Sequence, residues 1–201
     1  MGIGYVGDIM SDPLNINKAK TALVVIDLQK GISRMELKPY TAQQAIENAS
    51  KLSEAFRKNN MPVFLVRGVM GSGPILKTIS DETFTRPANA AADWADFVPE
   101  MTPKESDVVI TKRQWGAFYG TDLELQLRRR ELDTIVLCGI ATDFGVESTA
   151  RFAYEYGFQQ IFAEDAMTSR SQEQHNAAVN FVFKRIGRVR KTQEILESIG
   201  S

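Results

Sequence analysis

Thr134-Ile135-Val136-Leu137-Cys138-Gly139-Ile140-Ala141-Thr142-Asp143-Phe144-Gly145-Val146-Glu147-Ser148-Thr149-Ala150-Arg151 is the stretch whose reading decides the fold. Residues 134–138 form a short apolar run of the kind buried inside a parallel sheet. From Val146 onward, Val146, Thr149, Ala150 and Ala153 recur at helical spacing. A strand therefore passes almost directly into a helix. That junction points backbone N–H groups, and the positive end of the helix, at one spot.

Working outward, four more apolar runs fit strands: residues 22–26, 62–66, 108–110 and 160–163, with a short sixth at 187–190. Helix-period stretches lie between them. Ala42, Ala45, Ile46, Ala49, Leu52 and Phe56 mark one buried face, with Thr41 and Gln44 spaced as a capping box. Thr121 and Glu124 have the same spacing before Leu123 and Leu127. A helix over 171–185 is expected to bury Ala178, Phe181 and Val182. Alternation of this kind implies an α/β fold with three layers (α/β/α): a mostly parallel sheet of about six strands, helices on both faces and right-handed crossovers.

Composition agrees with one domain spanning 1–201. The chain is 43% hydrophobic and carries 24 basic against 25 acidic residues, a net charge of −1. That balance offers no general attraction to nucleic acid or to an anionic membrane. Its single cysteine excludes an internal disulfide. No run of about 18 apolar residues occurs, and residues 1–20, read as an N-terminal extension, show no signal-peptide pattern. A cytoplasmic location is expected. Residues 69–106 form a longer connection than is usual. Arg86-Pro87 and Asp93-Trp94 within it fit either a substrate lid or a subunit contact.

Ligands bind parallel sheets outside the carboxyl ends of the strands. After the first strand comes Asp27, followed by Leu28 and Gln29. After the third come Thr111, Lys112, Arg113, Gln114 and Trp115, and after the fourth come Gly139 and the loop holding Gly145. An acid, an ammonium and a helix N-terminus are thus expected in one pocket. Taken singly, Asp27 reads as well as a turn residue, Lys112 as a surface lysine, and Trp115, Phe118 and Tyr119 as core. Cys138 lies inside a buried strand, where a thiol behaves as an inert small hydrophobe.

Ile26-Asp27-Leu28-Gln29, Thr111-Lys112-Arg113-Gln114-Trp115-Gly116-Ala117-Phe118 and the 139–151 segment, in that order, resemble the three motifs of the isochorismatase-like cysteine hydrolases. Asp165-Ala166 and His175 match the family's C-terminal pattern, so the resemblance covers about residues 21–196. It implies a Rossmann-like isochorismatase fold with Asp27 as catalytic acid–base and Lys112 beside it. It also implies a cis peptide at Ile140–Ala141, and substrate contacts from Gln29, Trp115, Phe118, Ile140, Ala141 and Phe144. Most of the family carries its nucleophilic cysteine at the place of Gly145. The isochorismatase branch, which cleaves a vinyl ether to release pyruvate, has glycine there, as do uncharacterised bacterial members. The nicotinamidase branch has an Asp-x-His metal motif where this chain reads Arg67-Gly68-Val69-Met70, so no metal and no other cofactor is expected. The resemblance further implies a small-molecule substrate and a homodimer or homotetramer. Two functions are open: a thiol-free hydrolase of a small carboxylated metabolite, and a pseudoenzyme that binds a metabolite or a protein partner.

Overall fold

The computed structural model describes residues 13–69, 76, 78–82 and 91–200. Six strands form the sheet: β1 (Thr21–Ile26), β2 (Val63–Gly68), β3 (Val108–Lys112), β4 (Thr134–Ile140), β5 (Gln159–Thr168) and β6 (Arg188–Arg190). Their order is β3-β2-β1-β4-β5-β6, and every neighbouring pair is parallel. The chain winds outward from β1 to β3, then returns to place β4 on the other side of β1. The crevice between β1 and β4 is therefore the switch point, where such sheets take their ligands.

All six residues of β1 are buried, because both faces are covered. Leu23 and Val25 face one core, which contains Val136, Cys138 and Ile161, beneath α2 (Ala42–Lys58) and α7 (Thr192–Ile199). Ala22, Val24 and Ile26 face the other, under α3 (Leu123–Arg129) and α4 (Glu147–Glu155). The expected capping box opens α2: Gln44 N donates to Thr41 Oγ1 at 3.1 Å and Thr41 N to Gln44 Oε1 at 2.9 Å. Such a cap contributes about 1 kcal/mol. Burying Ile46, Leu52 and Phe56 contributes about 2 kcal/mol each, so packing dominates the helix's stability.

Three expectations on the periphery need correction. The N-cap of α3 is Asp122, not Thr121; the Thr121 hydroxyl, one residue further out, accepts from Leu123 N, and Glu124 pairs with Arg128 instead of closing a box. β5 runs five residues beyond the expected 160–163, because its register against β4 jumps between Leu137 and Gly139. Glu164 and Asp165 fall in that irregularity and interrupt the apolar run. The expected 171–185 helix begins as α5 (Gln172–Ala177), widens into π geometry over Ala178–Phe183, and ends as α6 (Lys184–Ile186). The wide turns advance the buried face by one residue. Val179 and Phe183 go inward with Ala178, while Phe181 is 68% exposed and Val182 only half-buried.

Of the long connection, Arg86 and Pro87 lie outside the described residues. Asp93 and Trp94 belong to a strap that runs back along the segment after β1. Lys30 N donates to Asp96 O, Gly31 N to Trp94 O and Val98 N to Leu28 O. Asp93 pairs with Lys30 at 3.2 Å and with Arg34 at 3.6 Å. A Cβ on Gly31 would lie 2.1 Å from the Trp94 ring, so this glycine is what lets the strap close. No described helix is long and apolar enough to cross a membrane.

Candidate active site

Asp27 leaves β1 with φ of +52°, a conformation uncommon for any residue but glycine and more accessible to Asp and Asn than to most. The turn tips its carboxyl across the end of β2 toward β3. Gly68 pairs with Lys112 in the β2–β3 register, and having no side chain it leaves the path open. Lys112 Nζ lies 2.7 Å from Asp27 Oδ2, and the ammonium also donates to Gln114 O at 3.3 Å. Lys112 is 4% exposed and Asp27 is 7% exposed, so the pair sits in a medium of low dielectric. Burial raises the Asp27 pKa above the usual carboxylate range, and the attraction of Lys112 only partly opposes it. Asp27 Oδ1 is buried with no hydrogen-bond partner among the described residues. Leaving such an oxygen unpaired costs about 1–3 kcal/mol, which a hydrogen-bonding ligand would recover.

The third strand end closes the site. Gly139 has φ of +121°, and a Cβ there would lie 2.1 Å from Ile26 O. Only glycine lets β4 approach β1 so closely at the switch point. The Ile140–Ala141 peptide is cis, and a wide turn over Thr142–Val146 leads into α4. A Cβ on Gly145 would stand 3.3 Å from Asp27 Oδ2 and 3.6 Å from Trp115 O. The bare glycine thus faces the carboxyl directly. Thr149 of α4 locks the two loops together: its hydroxyl donates to Gly145 O at 2.7 Å and accepts from Ala117 N at 3.0 Å. Its sequence signal was only a small residue on a buried helix face, which gives no hint of this bridge.

At the rim, Trp115 and Phe144 meet edge to face with centroids 4.8 Å apart. Trp115 is 59% exposed, and the pair offers an apolar wall to a ligand. Two other expected substrate contacts are buried in supporting roles. Gln29 donates to Gly68 O and Ala95 O, both at 3.0 Å, and accepts from Gly68 N at 2.8 Å. Both ends of its amide are committed, tying β2 and the strap to the turn after β1. Phe118 stacks against Phe158 with centroids 5.9 Å apart and belongs to the core. The Ile140 side chain also enters the core, leaving its backbone at the site. Cys138 is fully buried on β4, and burial pushes its thiol pKa upward. Among the described residues, no three His, Cys, Asp or Glu side chains cluster as a metal site.

The family model described as the isochorismatase domain matches residues 21–194. The chain belongs to the isochorismatase family. It is similar to the uncharacterised isochorismatase family protein YwoC of Bacillus subtilis, 51% identical over 94% of this chain and all of that one. YecD of Escherichia coli O157:H7, another uncharacterised isochorismatase family protein, is 48% identical over 92% of this chain and all of its own length. A solved isochorismatase family structure from Burkholderia thailandensis superposes with a TM-score of 0.85 at 37% identity, covering 93% of this chain and 98% of that one. This isochorismatase-family protein is thus a hydrolase by kinship, and the all-parallel sheet is the family's α/β architecture.

A second polar cluster lies behind the 140–146 turn. Glu164 accepts from His175 Nε2 at 3.2 Å and from Tyr40 at 3.0 Å, and it pairs with Lys191. Burial alone would raise the Glu164 pKa, but these donors outweigh it and hold the carboxyl at about 2. A depressed carboxyl adds stability above its unfolded value and loses it as pH falls through the folded one. Urea unfolding is therefore expected to show stability declining from pH about 4.5 toward about 2, with a shallower decline in Glu164→Gln. Equal slopes in the two proteins would contradict this.

Proposed function

We propose that this family member hydrolyses a small carboxylated metabolite, an isochorismate-type vinyl ether, by general acid chemistry at Asp27 without a nucleophilic thiol. The observation that carries the reading is the space between Asp27 Oδ2 and residue 145. A thiol there would lie against the acid, and Gly145 supplies none. A covalent acyl–enzyme route needs an activated sulfur. Protonation of an enol ether needs only a positioned acid.

In this scheme the protonated Asp27 carboxyl gives its proton to the terminal vinyl carbon. The C=C electron pair forms the new C–H bond, and positive charge develops at the ether-bearing carbon. Water adds there and returns a proton to Asp27. The resulting hemiketal breaks its bond to the ring oxygen, which leaves as an alcohol once protonated, and pyruvate is released. Lys112 keeps Asp27 oriented and attracts the substrate carboxylates, while the 140–146 turn holds the attacking water beside the cationic carbon. Trp115 and Phe144 pack against the unsaturated ring. General acid assistance of this kind contributes about 10²–10⁴-fold.

The raised pKa of Asp27 gives the sign of the pH dependence. The acid form persists to higher pH than for an ordinary aspartate, so kcat is level below the folded pKa and falls as pH rises through it. A binding-only role would give no turnover at any pH.

Gly145→Ala supplies a separate prediction. The new methyl would press on Ile26 Cγ2 at 3.0 Å and stand 3.3 Å from Asp27 Oδ2. Pyruvate release from isochorismate is expected to fall about tenfold or more through misplacement of water or substrate. The melting temperature should change little. An unaltered rate would show that the space beside Gly145 is not used.

A further inference from the structure

The sole histidine of the chain stands outside the chemistry described above, yet it is 1% exposed and bonded at both ring nitrogens. Its Nδ1 lies 2.9 Å from Thr142 Oγ1, and its Nε2 lies 3.2 Å from Glu164 Oε1. Glu164 is itself held by Tyr40 and Lys191, and Lys191 Nζ donates to Tyr40 at 2.7 Å. Tyr40 meets the imidazole edge to face at 6.0 Å, and its carbonyl accepts from Thr168 at the end of β5. An ionised carboxylate can only accept, so Nε2 carries a proton there, and Nδ1 pairs with the Thr142 hydroxyl.

We propose that His175 is a positioning residue. By fixing the Thr142 hydroxyl it sets the 140–146 turn, and with it the bare face of Gly145, against Asp27. The chain of contacts is short. Thr142 is fully buried and opens the wide turn that contains Gly145. Wide turns of this kind are rare and occur mostly as single turns at functional sites. Thr149 anchors the far end of the turn through Gly145 O. His175 anchors its near end through a side chain that is itself held by Glu164. Buried networks of this type specify one arrangement when every member is satisfied. The proposal rests on the reading that this turn faces the reacting group.

Two substitutions separate the two ring nitrogens. Asparagine puts its amide near the place of Nδ1 and can keep the Thr142 bond, whereas glutamine reaches the place of Nε2 and can keep only Glu164. Hydrogen exchange of peptides spanning 139–147, read by mass spectrometry, and kcat and KM for isochorismate would be measured on both. His175→Gln is expected to speed exchange of this turn about tenfold and to lower kcat about a hundredfold, with KM within about threefold of wild type. His175→Asn should stay within about threefold of wild type in all three. Equal behaviour of the two variants, or a worse His175→Asn, would overturn the proposal. If neither variant folds, Thr142→Val decides: faster exchange in the turn supports the role, and wild-type exchange overturns it. Should the wild-type protein release no pyruvate, the proposed reaction fails, while the exchange comparison still decides the part played by His175.

Discussion

Asp27→Asn is expected to lower pyruvate release from isochorismate about 10³-fold while leaving the protein folded. The substitution removes the transferable proton and little else. Asparagine tolerates the left-handed backbone at this position, where φ is +52°, better than alanine would. Its amide oxygen can still accept from Lys112, which sits 2.7 Å from Asp27 Oδ2. That matters because an abandoned buried ammonium would cost about 3–5 kcal/mol and confuse loss of activity with loss of structure. Circular dichroism and a thermal melt on the same preparation keep the two apart. A rate unchanged by Asp27→Asn would remove this residue from the mechanism.

Gly139→Ala should have the largest effect on stability, about 4 kcal/mol or more by urea unfolding. The added methyl would meet Ile26 O at 2.1 Å, Ile26 N at 2.6 Å and Ile26 C at 2.8 Å. All three are main-chain atoms of the central strand, paired to Gly139 in the β1–β4 register. No side-chain rotation relieves such a clash. The backbone would also have to accept φ of +121° with a Cβ present. Either β4 separates from β1, or the turn after it moves away from Asp27. A loss of less than about 1 kcal/mol would mean that the two strands approach less closely than described.

The contrast between these residues shows what the sequence could reveal. Continuous apolar runs at 22–26 and 134–138 are a direct consequence of burial on both sheet faces, so their strands were readable without coordinates. The carboxyl-end rule then brought Asp27, Lys112 and Gly145 to one place, because it depends on topology alone. The α2 capping box was legible for the same local reason: Thr41 and Gln44 act within one turn. Long-range or non-periodic features were not legible. The wide turns over Ala178–Phe183 break the 3.6-residue period, so Phe181, which regular helical spacing turns inward, lies outward. Gln29 follows Asp27 in the motif, yet its amide is used up by Gly68 and Ala95, partners 39 and 66 residues away. Phe118 lies only six residues after Lys112, but it is drawn into the core by Phe158 and Tyr156. Nothing in local spacing announces such partners.

The electrostatics of the Asp27–Lys112 pair could not be read from sequence either, because the two opposing effects depend on depth. A lysine beside an aspartate lowers its pKa, and removal from water raises it. The structure buries both side chains, and at Asp27 burial outweighs the attraction of Lys112, so the acid form gains. This is the state that an enol-ether hydrolase without a thiol requires.

The most direct test of the account is the release of pyruvate from isochorismate by the wild-type protein, followed as a function of pH. A rate that is level on the acid side and declines as Asp27 ionises is the predicted result. No release at any pH, or a rate climbing steadily through neutrality and beyond, would contradict it.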